Sequence, residues 1–177
     1  MDERGQAVPD IHATGTTHVL FGSPEVFAGT NLVTVRNVEP DEDRLVAAVH
    51  EKRKLVGWGI VKATDKMPKI TLGTGGSAKG RVLDADGKPL AGVLVRVLYA
   101  QRPLSIAYEK LTDRNPPMTD EKGEFRLDAL FADQPFQLDY IQDRRFAGDL
   151  RKAPWFSVKN GPDALLIPEA TVKPPKK

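Results

Sequence analysis

Short runs of alternating apolar residues, separated by turn residues, dominate the chain. In the clearest run, Val93, Val95, Val97 and Tyr99 stand at every second position, and a turn at residues 84–87 precedes them. Alternation with period two is typical of a strand with one buried face, and an Asp-Gly pair supplies the positive φ that a tight reversal requires. The pattern predicts a β-hairpin in a half-buried sheet.

A second turn signal lies at residues 119–123, directly before Phe125 and Leu127, which again alternate. Helical signals are sparse. Residues 104–111 place apolar side chains at helical spacing and predict a short helix, whereas residues 41–50 fit either a two-turn helix or, from residue 45, a strand. The chain is therefore predicted to be all-β.

The turn residues have a structural explanation that needs no ligand. Two acids beside a glycine, as in Asp84, Asp86 and Gly87, also occur in calcium loops, but the downstream glutamate and further oxygen ligands of an EF-hand are missing. Aspartate side chains accept hydrogen bonds from backbone amides two residues on, and glycine takes φ > 0. We therefore expect structural turns at the following residues: Asp84, Asp86, Gly87, Pro89, Gly92, Asp120 and Gly123.

These two stretches together resemble the carboxypeptidase regulatory-like domain. The resemblance covers residues 77–172 and rests on the pattern Gly80-x-Val82-x-Asp84-x-Asp86-Gly87-x-Pro89-Leu90-x-Gly92-Val93, followed by Thr119-Asp120-x-x-Gly123-x-Phe125-x-Leu127. It implies a small transthyretin-like β-sandwich that acts as a noncatalytic accessory or interaction module. It also implies an extracytoplasmic location, although no signal-peptide pattern opens this chain, so the compartment is left open.

The N-terminal part resembles the second motif closely enough to predict a tandem repeat. Residues 2–8 align with residues 84–90 at an offset of 82, and residues 51–57 align with 142–148 at an offset of 91. The extra residues of the second copy fall in the loop at 100–117, and residues 32–35 become a strand equivalent to 125–127. We predict two modules, 1–74 and 77–172, and a tail at 173–177.

The alignment leaves the first module without its opening strand. Its residue 1 falls inside the turn that follows the first strand of the second module. A sandwich that lacks a strand exposes backbone donors and acceptors, which favours strand addition by a partner. The sequence is thus interpreted as a piece of a longer multi-module protein; the alternative is a chance similarity and a loose N-terminal tail.

Composition limits the remaining choices. The 26 basic and 24 acidic residues leave a net charge of +2, which does not predict nucleic-acid binding. The absence of cysteine excludes disulfides and cysteine-based metal sites, and no apolar run is long enough to span a membrane. His12, His18 and His50 are too widely spaced for a helix-face metal pair, and neither a cofactor nor a metal is predicted.

Three classes of function remain. A structural or protein-interaction module, partnered by another protein or by neighbouring modules, is the main prediction. A carbohydrate-binding module is the alternative, because Trp58 and Trp155 offer flat stacking surfaces if they are exposed, although core packing explains them as well. An enzyme requires acids such as Asp84, Asp86 and Asp113 to converge, and nothing in their spacing brings them together, so no catalytic residue is assigned.

Overall fold

In the computed structural model, residues 1–17, 24–142, 145–146, 153–161 and 163–172 are described. They contain one helix, α1 (Arg102–Thr112), and the following strands: β1 (Ile11–Thr14), β2 (Glu25–Phe27), β3 (Arg44–His50), β4 (Leu55–Val61), β5 (Gly76–Leu83), β6 (Leu94–Tyr99), β7 (Glu124–Leu130), β8 (Phe136–Gln142), β9 (Arg145–Phe146), β10 (Ala164–Leu166) and β11 (Ala170–Thr171). The ladders are antiparallel except that β10 and β11 run parallel to β5. The all-β prediction is confirmed.

The chain divides into two compact units. The first unit comprises Met1–Gly75 together with Gln101–Leu111, and the second comprises Gly76–Ala100 together with Thr112–Lys177. Helix α1, which lies between β6 and β7 in sequence, is therefore part of the first unit, apart from its last residue Thr112. Its buried side chains are the four that the helical spacing predicts: Leu104, Ala107, Tyr108 and Leu111.

The first unit contains a four-stranded sheet in the order β2-β1-β3-β4. Residues 44–50, which the sequence left open between helix and strand, form β3 because they pair along their whole length with β4 through the turn at residues 51–54. One hydrophobic cluster of this unit lies against the sheet. It consists of Val8, Ile11, Ala48, Leu55 and Leu72, with Phe27, Val33 and Ile70 partly buried against it.

The second unit contains two sheets. In one, β5 lies between the antiparallel β7 and the parallel β10 and β11; in the other, the order is β6-β8-β9. Ala78 and Val82 of β5, Val95 of β6 and Leu127 of β7 are fully buried. Strand β5 is interior to its sheet, since both of its long edges are paired. The rings of Phe125 on β7 and Tyr140 on β8 lie 6.4 Å apart, so the two sheets pack face to face as in a β-sandwich.

One predicted strand is wrong. Residues 32–35 form no ladder, although exposed and half-buried side chains alternate along them, much as exposed and buried side chains alternate along β7. A strand is defined by backbone hydrogen bonds to a neighbouring strand, and the described residues supply no such neighbour for residues 32–35.

Candidate functional site

Three turns in the described part of the chain share the same hydrogen bonds. In each, one carboxylate oxygen of an aspartate accepts from the backbone amides two and four residues further on, over 2.9–3.1 Å, and a glycine three residues on has a φ between 72° and 77°. The aspartates are Asp2, Asp84 and Asp120, and the glycines are Gly5, Gly87 and Gly123. These carboxylates accept hydrogen bonds from backbone amides, which is the usual role of aspartate in a turn.

Thr119 joins the two motifs of the second unit, a role that the sequence analysis did not assign. Its buried hydroxyl accepts from the amide of Val93 over 2.9 Å and donates to the carbonyl of Leu90 over 2.7 Å. Its carbonyl accepts from the amide of Gly92, whose φ is 72°. Only the position of Thr119 in the motif could have signalled these contacts.

Two further predicted turn residues have simpler surroundings. Pro89 forms an isolated bridge with Leu83, and Asp86 is exposed.

The two tryptophans lie in different units and in different environments. Trp58 is half-buried on β4, opposite Ala47, whereas Trp155 is 55% exposed. Within the described residues, no three histidine, aspartate or glutamate side chains form a group that could hold a metal ion. His18 lies outside the described residues. No helix among them has the length and apolarity needed to cross a bilayer.

The first unit has an open groove where the second unit has β5. A cavity of about 600 Å³ opens on this unit. Apolar side chains form most of its wall: Val33, Val35, Val46, Ala48, Ile70 and Leu72. We call it the acceptor groove, and two backbone segments, residues 32–35 and 68–72, bound it.

One edge of the acceptor groove matches an edge of β5 in the second unit. The amide of Leu72 donates to the carbonyl of Met1 over 2.8 Å, and the amide of Val172 donates to the carbonyl of Leu83 over 2.9 Å. Both pairs belong to parallel contacts. The local sequences also correspond, Pro68-Lys-Ile-Thr-Leu72 with Pro168-Glu-Ala-Thr-Val172. Met1 therefore occupies the position that Leu83 has at the end of β5.

The other edge of the acceptor groove, residues 32–35, corresponds to β7 of the second unit. His12 of β1 lies opposite Val26, as Leu94 of β6 lies opposite Met118, so these strands correspond in register. When this register is extended along the chain, Val33 is equivalent to Phe125 and Val35 is equivalent to Leu127. Phe125 pairs directly with Gly80 of β5. Because nothing described in the first unit corresponds to β5, residues 32–35 have no strand to pair with, which explains why the predicted strand does not form.

The rim of the acceptor groove is basic. Its charged lining residues are Lys62, Lys66 and Lys69 against the single acid Asp65, whose carboxylate accepts from the Lys62 amide over 2.9 Å. Two apolar side chains on the rim are largely exposed, Leu32 at 63% and Met67 at 76%. The groove thus combines apolar walls with backbone edges and positive charge.

Comparisons with known proteins give fold likeness alone. No protein-family model matches the chain, and no curated protein matches it. The Bacillus anthracis TIE protein is similar at 14% identity and a TM-score of 0.36, over 77% of this chain and 27% of that one. The Streptococcal ancillary pilin is similar at 14% identity and 0.39, over 75% and 45%. The shaft pilin SpaA from Lactobacillus rhamnosus GG is similar at 11% identity and 0.39, over 95% and 88%.

The chain spans less than half the length of the first two of these structures. At such identities and TM-scores, the likeness carries no argument about activity, assembly or partners. With no family model matched, the resemblance to the carboxypeptidase regulatory-like domain stays a prediction.

Proposed function

We propose that the chain is a noncatalytic structural and protein-interaction module of a longer, multi-module protein, and that its first module, residues 1–74, is a β-sandwich that accepts a strand. The observation that carries this proposal is the acceptor groove. It lies between two segments whose counterparts in the second unit both pair with β5. A strand in this groove gains backbone partners along both of its edges.

Two driving forces favour such an insertion. Extended segments with unpaired amides and carbonyls act as templates for an added strand, and main-chain hydrogen bonds supply affinity in this mode of recognition. The apolar walls add a hydrophobic contribution of about 25 cal/mol per Å² buried. In the second unit, Ala78 and Val82 of β5 are the side chains that fill the corresponding space, and both are fully buried.

The polar chemistry of the described residues favours a structural role over catalysis. The turn aspartates serve backbone amides, and the acids and imidazoles that we describe form no metal-binding group. The carbohydrate-binding alternative has Trp155 as its support, because Trp58 is half-buried and belongs to the other unit. One exposed indole is common on protein surfaces, and we do not adopt that alternative.

A peptide-binding experiment tests the proposal. The probe is a fluorescently labelled, C-terminally amidated peptide with the sequence of residues 76–82, Gly-Ser-Ala-Lys-Gly-Arg-Val, titrated against the full chain. We expect saturable binding by the wild type. Val35→Asp places a charge in the apolar wall and abolishes binding, whereas Leu166→Asp, an equal change at an exposed position of the second unit, leaves it intact.

A second variant guards against misfolding of Val35→Asp. Val35→Thr keeps the shape of the wall and adds a hydroxyl, so it weakens binding without removing the fold. Circular dichroism reports whether each variant is folded. Absence of binding by the wild type, or equal binding by folded Val35→Asp, contradicts the proposal.

A further inference from the structure

We propose that Asn160 and Gly161 form a self-modifying turn in the second unit. The side-chain amide of Asn160 reacts with the backbone amide of Gly161 and then with water, which converts the side chain to a carboxylate. The lengthened product of this reaction weakens the pairing of β10 with β5. The inference is independent of the acceptor groove and starts from the asparagines of the chain.

The residue that follows an asparagine decides whether this reaction occurs there. The following backbone nitrogen must lose its proton and reach the side-chain carbon Cγ. Proline has no N–H to lose, and branched side chains crowd the approach, whereas glycine has no Cβ and the widest range of backbone conformations. The four asparagines stand in the pairs Asn31-Leu32, Asn37-Val38, Asn115-Pro116 and Asn160-Gly161.

The surroundings of Asn160 leave both reacting groups accessible. Lys159, Asn160 and Gly161 are all exposed. A Cβ atom on Gly161, whose φ is 139°, would meet nothing within 4 Å. Among the described residues, none forms a hydrogen bond with the Asn160 side chain or with the Gly161 amide. The two groups are therefore free to approach each other.

The Asp86-Gly87 pair has the same spacing but a protected geometry. Aspartate before glycine forms the same ring by loss of water. Here, however, the Gly87 amide donates to the carbonyl of Asp84 over 3.1 Å. The Asp84 carboxylate also accepts from the amides of Asp86 and Lys88. These bonds fix the backbone and engage the nitrogen that would attack, so we expect no reaction at this turn.

The reaction balances with water as its co-reactant. The Gly161 nitrogen attacks Cγ of Asn160, the N–Cγ bond forms and the Cγ–Nδ2 bond breaks, and Nδ2 leaves as ammonia with the proton of the Gly161 amide. Water then opens the five-membered succinimide. Cleavage of the new N–Cγ bond gives aspartate. Cleavage of the original peptide bond gives isoaspartate, whose main chain runs through Cβ and Cγ and is longer by one CH₂ group.

The added CH₂ group matters because β5 is contacted on both sides of the turn. Before the turn, the Lys159 carbonyl lies so close to Gly76 that a Cβ atom there would be 2.5 Å from its oxygen. After the turn, Ala164 of β10 pairs with Ser77. The extra length must be absorbed between these two points. Because β10 is only 3 residues long, we expect its pairing to loosen.

The new negative charge has a smaller effect. The Lys159 ammonium contacts the Asp133 carboxylate, and both side chains are more than half exposed. A carboxylate at position 160 gives this ammonium a second anionic neighbour. Since exposed ion pairs contribute little to stability, the longer backbone is the main cause of the expected loosening.

Peptide mapping by mass spectrometry tests the site in the full chain. The chain is aged in mildly alkaline buffer and then digested. We expect the Asn160 peptide to gain the mass difference between OH and NH₂ and to separate into two chromatographic forms, aspartate and isoaspartate. Asn31 and Asn37 are internal controls that keep their mass. An unchanged Asn160 peptide, or equally fast conversion of Asn31 or Asn37, overturns the site.

Hydrogen exchange tests the consequence for β10. The aged wild-type chain should exchange faster at residues 164–166 than an Asn160→Gln chain aged beside it. Freshly purified Asn160→Asp carries the charge without the added CH₂ group, and it should exchange as Asn160→Gln does. If the converted wild type exchanges no faster than Asn160→Gln, the loosening of β10 is overturned. Equal acceleration in fresh Asn160→Asp contradicts the backbone cause.

Discussion

The backbone amide of Leu72 donates to the carbonyl of Met1 over 2.8 Å, in the same register in which Val172 contacts Leu83. Leu72 and Val172 are each almost completely buried. One end of a sandwich strand is thus built into the first unit, while the rest of that strand has no counterpart among residues 1–74. The acceptor groove follows from this relationship, because residues 32–35 and 68–72, whose counterparts flank β5 in the second unit, are present in the first unit.

A comparison of two glycines in turns of the same type distinguishes the free-energy cost of backbone strain from that of steric overlap. Gly87 and Gly123 have φ values of 77° and 72°, but a Cβ atom on Gly87 has open space, whereas one on Gly123 would lie 2.4 Å from the carbonyl oxygen of Val82. We expect Gly87→Ala to cost about 1 kcal/mol from backbone conformation alone. Gly123→Ala must also displace β5, so its cost is expected to exceed that of Gly87→Ala by about 1–3 kcal/mol.

Urea denaturation, followed through the transition of the second unit, measures both variants. Equal losses of unfolding free energy would show that the contact with Val82 relaxes freely, contrary to the tight approach seen in the structure.

Helix α1 is expected to stabilise the first unit although its sequence interrupts the second. Leu104 is fully buried, the hydroxyl of Thr14 donates to the carbonyl of Pro103 over 2.7 Å, and the Lys54 ammonium donates to the carbonyl of Leu111 over 2.9 Å. Leu104→Ala should cost about 2–5 kcal/mol by removing buried methyl groups. Hydrogen exchange should then accelerate in β1 and β3.

The matched control for this variant is Ile106→Ala, at a half-buried position of the same helix. We expect Ile106→Ala to cause a smaller loss of unfolding free energy and a smaller acceleration of hydrogen exchange. If Leu104→Ala accelerated exchange chiefly in β6 and β8, the assignment of the helix to the first unit would be wrong.

His12 is predicted to make the stability of the first unit sensitive to acid. Its Nε2 lies 2.8 Å from the Glu51 carboxylate, which Lys110 also approaches at 3.3 Å, and its buried Nδ1 has no hydrogen-bond partner among the described residues. Burial lowers the pKa of His12 below 6.5, the Glu51 carboxylate opposes this shift, and the positive charge of Lys110 adds to it. The neutral imidazole therefore fits this site better than the cation does.

The sign of the pH effect follows from the lowered pKa. The unfolded chain takes up the proton first, so the contribution of His12 is present above pH 6.5 and is lost as the pH falls through the folded-state pKa. His12→Gln should flatten the loss of unfolding free energy below pH 6.5. Titration of the His12 ring by NMR checks the cause directly; a midpoint above 6.5 contradicts it.

Local sequence signals predicted much of the fold. The turns at Asp84 and Asp120 depend on the aspartate side chain and the φ of a nearby glycine, both of which are local properties, and helix α1 was visible in the spacing of its buried residues. The match of the first turn to the second, at Asp2, was visible for the same reason. Tertiary pairing was harder to foresee. Residues 32–35 alternate as a strand does, yet without a β5 equivalent they have nothing to pair with.

The acceptor groove was foreseen in part, since the missing strand implied open edges. Its walls and charge required the structure, because the correspondence of residues 68–72 with 168–172 becomes meaningful only once both are seen in the same parallel register.

Hydrogen exchange on a chain with a fused strand tests the central claim most directly. The variant carries the sequence of residues 76–82 immediately before Met1, and the measurement compares amide exchange in residues 32–35 and 68–72 with that of the unfused chain. The account predicts that both segments become protected together, because one inserted strand pairs with each of them. Unchanged exchange in both segments, with a folded second unit, would show that the groove does not accept a strand.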